Sequence, residues 1–224
     1  GANDQAVTIG GIGNYTITDS GAGALSITKT GTASASILTG VTLTYQGTTN
    51  VNGGSMTIAS PLNGTTGLSV TNSGSALTLS GGITAPGAIT SVVAEGGTTL
   101  SLLDGAGNQL SALTNLQLGS VGGTTTTLNL NVGDLNVAGD ELNTDSLTLT
   151  AAGTLSLFSG NTITLNLTDT GLSSNQTYVL LDATAIGGGF FGGASPHPTI
   201  ASYILGATPG GFTSIGITTD STTN

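Results

Sequence analysis

Few side chains in this 224-residue chain could do chemistry, and the densest group of them lies in one stretch. The run "GDLNVAGDELNTD" brings together Asp134, Asp140, Glu141 and Asp145. Clustered carboxylates offer oxygen ligands to Ca²⁺, and a pair of them can act as acid and base in glycoside cleavage. The spacing fits neither an EF-hand loop nor the Gly-Gly-x-Gly-x-Asp repeat of calcium-loaded solenoids. A solvated turn is therefore the simpler reading and a calcium site the secondary one. Asp104, in "DGAGNQ", reads as an ordinary turn residue.

The other reactive types are isolated. His197 is the only histidine and sits in "SPHP", without the partners that a zinc site or a Ser-His-Asp arrangement requires. No Gly-x-Ser-x-Gly elbow occurs, and the single lysine, Lys29, gives a polysaccharide lyase little to work with. The glycine runs "GGIG" at 10–13 and "GGGFFGG" at 187–193 have no helix pattern after them, so they read as turns rather than phosphate cradles. The expectation is a protein that is not an enzyme, with no catalytic residue and no cofactor beyond the calcium candidate.

Composition narrows the setting. Charged residues make up 5% of the chain, against roughly 25% in ordinary soluble domains. Eleven acids and one base give a formal charge of −10, which removes any attraction to nucleic acid or anionic lipid. Cysteine is absent, so packing and hydrogen bonds must hold the fold without disulfides or thiolate metal sites. Gly, Ser or Thr interrupts every apolar run before it reaches the roughly 18 residues of a membrane helix. The first residue is Gly1 and the only methionine is Met56, as expected of a processed product or an excised fragment. The expected location is extracellular or on a bacterial cell surface after signal-peptide removal.

The elements that position these residues follow a period of two. "AVTI" at 6–9, "VTLTY" at 41–45, "MTI" at 56–58, "LNLNV" at 128–132 and "ITLNL" at 163–167 each alternate an aliphatic with Thr, Ser or Asn. Such alternation makes half-buried strands. One segment, "LSALTNLQ" at 110–117, has spacing that admits a helix. The fold class expected is all-β.

An antiparallel β-sandwich and a parallel β-helix remain as alternatives. Aromatics at 4% and the absence of Trp favour the solenoid, since a sandwich of this size buries large rings between its sheets. Coils of roughly 20 to 25 residues would give about nine or ten turns and a rod on the order of 45 Å long.

The stretch "LTYQGTTNVNGGSMTI", 43–58, resembles the autotransporter-associated β-strand repeat. Tyr45, Gly47, Thr48, Thr49, Val51, Gly53, Gly54, Met56 and Ile58 fall on that repeat's marked positions. "ALSITKTGTASASILTG", 24–40, looks like the run that precedes it, with Lys29 and Gly31 in place and Ala33 or Ser34 where a second glycine is usual. "QTYVLLDATAIGGGFFG", 176–192, resembles the closing coils of such passenger regions. The resemblance implies a right-handed parallel β-helix exported to the bacterial surface.

The organisation expected is a solenoid over 1–186, with a start cap of about 1–20, and a Gly/Phe-rich capping or contact region over 187–224. Val7 and Ile9 in the strand "DQAVTIG", together with Phe190, Phe191 and Phe212, are the candidate assembly contacts. The function expected is that of an extracellular structural subunit that assembles with itself into a surface filament or coat. The alternative is a monomeric autotransporter-type adhesin or stalk with a cell-surface or glycan ligand.

Overall fold

The computed structural model describes residues 7–10, 15–19, 23–120, 124–133, 143–157, 161–169, 180–182 and 203–205. Among them the chain is a parallel β-helix. One face is an eight-stranded sheet in the order β1 (Val7–Ile9), β4 (Ser34–Ile37), β7 (Ser55–Ile58), β9 (Ala76–Leu79), β11 (Thr99–Ser101), β13 (Thr125–Val132), β15 (Thr162–Asp169) and β17 (Tyr203–Leu205). A second face has seven strands, β3 (Ile27–Lys29), β6 (Thr48–Val51), β8 (Gly67–Val70), β10 (Ser91–Ala94), β12 (Gln109–Leu118), β14 (Ser146–Leu157) and β16 (Leu181–Asp182). The third is the pair β2 (Tyr15–Thr18) and β5 (Val41–Thr44), carried on by single bridges from Leu43 to Leu62 and from Leu62 to Ile83.

Every strand pair is parallel, which rules out the antiparallel sandwich over these residues. A parallel ladder forms here because like residues stack. Register aligns Ala35, Met56, Leu77, Leu100, Leu128 and Leu165 in one inward row, and Ile37, Ile58 and Leu79 in the next. From Met56 to Leu165 the first row is at most 4% exposed. Burying each such leucine contributes roughly 1.5–3 kcal/mol.

Outward positions carry the polarity that charge does not supply. Ser55 Oγ donates to Ser34 Oγ at 2.9 Å, Asn115 Nδ2 to Ser91 Oγ at 3.0 Å, and Asn166 Nδ2 to Asn129 Oδ1 at 2.7 Å. These rungs run along the rod, each tying one coil to the next.

After a first step of 28 residues, from Val7 to Ala35, the coils shorten and then grow along the molecule. Ser34 pairs with Ser55 and Ser55 with Ala76, a step of 21 residues each time. Thr99 pairs with Thr127, a step of 28, Thr127 with Thr164, a step of 37, and Ile163 with Tyr203, a step of 40. Among the described residues the longest face holds eight strands. At about 4.8 Å per layer these eight strands span about 34 Å. Tyr203–Leu205 lies inside the segment expected to be a separate cap, yet it adds a strand to the main sheet.

The helix candidate at 110–117 is a strand. Leu110, Leu113, Leu116 and Leu118 are all buried within β12, although the first two intervals are three residues. A register shift between Leu110 and Leu113 absorbs one extra residue of β12, and a second, between Leu113 and Asn115, absorbs extra residues of β14. Bulges of this kind let one strand turn a corner. The first half of β12 stacks on β14 alone, while Asn115–Leu118 pairs with both β14 and β10. A 3-10 turn, Pro86–Ala88, is a helical element among the described residues, and no α-helix occurs among them.

Glycine is required where coils cross closely. A Cβ on Gly47 would lie 2.1 Å from the Leu25 carbonyl oxygen, which already accepts the Gly47 N–H at 2.9 Å. Gly47→Ala must push two coils apart, and it is expected to lower stability by about 2–3 kcal/mol in urea unfolding. Ser75 Oγ is the opposite case. Among the described residues it is a buried hydroxyl without a hydrogen-bond partner. Ser75→Ala removes that burden and is expected to raise stability by about 1 kcal/mol in the same measurement.

Candidate functional site: an apolar first layer and a buried carboxylate

Two places stand apart from the repeating wall. The first is the layer formed by β1, β2 and β3, which among the described residues have a strand neighbour on one side only. Their other edges present backbone N–H and C=O groups, a template for a further strand. The exposed large apolar side chains cluster at the same place: Val7, Ile9, Tyr15, Leu25 and Leu38, from 37% to 54% exposed. None of the described residues after Leu38 adds to this group.

Charge near this layer is occupied in holding turns. Asp19 accepts the backbone N–H groups of Leu25 and, at 2.7 Å, Gln46. Lys29 Nζ donates to three carbonyl oxygens, those of Thr30, Gly31 and Gly53, at 2.6, 2.8 and 3.1 Å. Asp19 and Lys29 thus hold turns of the first coil and tie them to the second.

The second place is the buried junction around Asp145, which is fully buried rather than solvated. Its Oδ1 accepts the Asn108 backbone N–H at 2.7 Å and Asn108 Nδ2 at 2.9 Å, and its Oδ2 accepts the Asn131 N–H at 2.6 Å. Asn131 Nδ2 in turn faces the Leu102 and Ala106 carbonyls and Asp104 Oδ1 at 3.1 to 3.2 Å. Burial pushes the Asp145 carboxyl up to about 7; the N–H bonds from Asn131 and Asn108 oppose this, and the Asp104 charge adds to it.

The junction clamps the loop 102–108 over β13, and this loop covers Asn131, leaving it 2% exposed. The donors around Asp145 are amide hydrogens, which suits a carboxylate that organises backbone. Asp134, Asp140, Glu141 and His197 lie outside the described residues, as do Phe190, Phe191 and Phe212. Among the described residues no three His, Cys, Asp or Glu side chains form a group able to hold a metal.

The repeat-like stretch is likewise wall. Tyr45 is fully buried with its hydroxyl on Thr49 Oγ1, and Thr49, Val51, Met56 and Ile58 all point inward. Thr49 shares its hydroxyl with Thr65 at 3.3 Å, so the buried polar atoms at this corner satisfy one another.

No family model, curated protein or solved structure matches the chain. Function is therefore argued from the two places just described. Val7 and Ile9, the expected assembly contacts, are exposed in β1, while sequence reasoning missed Asn108 and Asn131. Their polar side chains look like outward rungs until the loop that covers them is placed. No helix among the described residues is long and apolar enough to cross a membrane.

Proposed function

We propose that this chain is an extracellular structural subunit that assembles with itself, as part of a bacterial surface filament or coat. The observation that carries the reading is the coincidence, on one layer, of exposed apolar side chains with strand edges that have no strand partner among the described residues. Isolated apolar residues on a surface need no explanation, but a group of them beside free strand edges is the chemistry of a contact. The resemblance of 43–58 to the autotransporter-associated β-strand repeat supports the extracellular setting, and so does the scarcity of charge and cysteine.

In this reading the coils contribute length and rigidity, and the work is done where the stack ends. Sedimentation velocity of the purified chain over a wide concentration range tests it. Species heavier than 21.6 kDa that grow with concentration are expected. A single 21.6 kDa species throughout would instead leave the monomeric adhesin or stalk.

A further inference from the structure

We infer that Asn63 is a site of spontaneous covalent modification: in the folded chain the Gly64 backbone nitrogen closes on the Asn63 side-chain amide and expels ammonia, while Asn52, which has the same neighbour, is held intact. The inference stands apart from the self-assembly reading.

Asn-Gly pairs occur twice, at 52–53 and at 63–64. In such a pair the backbone nitrogen after the Asn can reach the side-chain carbonyl carbon, and glycine offers that nitrogen with no side chain in the way. Both asparagines are exposed, so water and base reach them both. What separates them is how the two peptide units are held.

The 52–53 unit is clamped on several sides. The Asn52 N–H donates to the Lys29 carbonyl at 2.8 Å, the Asn52 carbonyl accepts Asn72 Nδ2 at 2.7 Å, and Asn52 Oδ1 accepts Thr71 Oγ1 at 2.9 Å. Lys29 Nζ fixes the Gly53 carbonyl at 3.1 Å. A Cβ on Gly53 would lie 2.8 Å from the Gly31 carbonyl oxygen, so the backbone there is closely packed. Ring closure turns the Asn side chain and its own peptide unit together, and at Asn52 that breaks the bonds from Thr71 and Asn72.

The 63–64 unit has one tie. The Asn63 N–H donates to the Leu43 carbonyl at 3.1 Å, and among the described residues neither the Asn63 side chain nor the Gly64 N–H makes a hydrogen bond. A Cβ on Gly64 would meet nothing nearer than the Tyr45 carbonyl oxygen, at 3.3 Å. Firm anchors lie on either side. The Leu62 N–H donates to Gly82 at 3.0 Å and its carbonyl accepts the Thr84 N–H at 2.9 Å, while Thr65 Oγ1 donates to the Gly47 carbonyl at 2.7 Å. Asn63 and Gly64 thus form an exposed span between two pinned residues.

Base removes the Gly64 amide proton and the nitrogen attacks Asn63 Cγ. The new N–Cγ bond forms, the bond from Cγ to the side-chain nitrogen breaks, and ammonia leaves with the proton. Water then opens the cyclic imide at one of its two carbonyls, giving aspartate or isoaspartate. Either product adds a negative charge to a chain of net −10. Isoaspartate also lengthens the main chain by a methylene between Leu62 and Thr65, whose hydroxyl belongs to the buried corner with Thr49 and Tyr45.

The intact chain is held folded in mildly alkaline buffer, digested at intervals and mapped by peptide mass spectrometry for the change from amide to acid, with the same chain in urea as reference. In urea both sites should convert at similar rates, since glycine follows each. In the folded chain Asn63 should convert at least about tenfold faster than Asn52, because the hydrogen bonds holding Asn52 must first open. Equal rates in the folded chain, faster conversion at Asn52, or an Asn63 that stays intact would each overturn the inference.

A second arm uses Thr71→Val with Asn72→Gly, which removes both donors to Asn52; glycine suits position 72, where φ is +66°. Asn52 in that folded variant should convert at a rate approaching that of Asn63, with Asn63 unchanged. An Asn52 rate that does not move would contradict the assignment of its protection to these bonds.

Discussion

Replacing Asp145 by Ala is expected to lower the free energy of unfolding by about 3–5 kcal/mol at pH 6. The substitution leaves two buried backbone donors without their acceptor, the Asn108 N–H and the Asn131 N–H, and takes from Asn108 Nδ2 its shortest bond, leaving it the Leu102 carbonyl and Asp104 Oδ1. It also releases the loop 102–108 from β13. The wild-type residue has its own pH signature, because its carboxyl lies at about 7 in the folded chain and near 3.8 when unfolded.

Below about pH 4 both states are protonated and the group adds its full share of stability. Between about 4 and 7 the folded chain keeps a proton that the unfolded chain has lost, so stability falls as the pH rises. The fall amounts to at most about 4 kcal/mol and levels off above about 7. Urea unfolding from pH 4 to 8 measures it, and Asp145→Asn, which cannot ionise, should flatten that part of the profile. A wild-type profile that rises over this interval would contradict the account of Asp145.

The second large effect is expected from Leu100→Ala, at about 3–5 kcal/mol. Leu100 is fully buried and stacks between Leu77 and Leu128 in the inward row. Its neighbours along the rod are held at the strand spacing by the ladder, so they cannot close on the cavity. A loss below about 1 kcal/mol in urea unfolding would show that this row is not the close-packed column described.

The periodicity that revealed the strands is the same physics that fills this row. In "LNLNV", 128–132, each apolar residue points inward and each Asn outward, and the strand is β13 as expected. Parallel pairing was legible from the scarcity of aromatics and charge. The lengthening of the coils was not, since nothing local in a Thr-rich strand says how far along the chain its neighbour lies. Thr127 finds Thr164 only after a step of 37 residues.

β12 misled for a related reason. Leu110, Leu113 and Leu116 carry a helical interval, and the bulges that make it a strand are imposed by β14 beneath. The buried carboxylate was hidden in the same way. Four acids in one run look alike in sequence, and Asp145 is distinguished by backbone donors supplied from 14 and 37 residues away. Val7 and Ile9 could be read as one apolar face because they alternate with Thr8 in a segment whose nearest charge is Asp4.

Electron microscopy of the purified chain at neutral pH tests the central claim most directly, namely a parallel β rod whose working part is its end. Rods joined end to end, with a repeat near the roughly 4.8 Å strand spacing along their axis, are the predicted result. Separate rods of about one molecule's length at every concentration would contradict it.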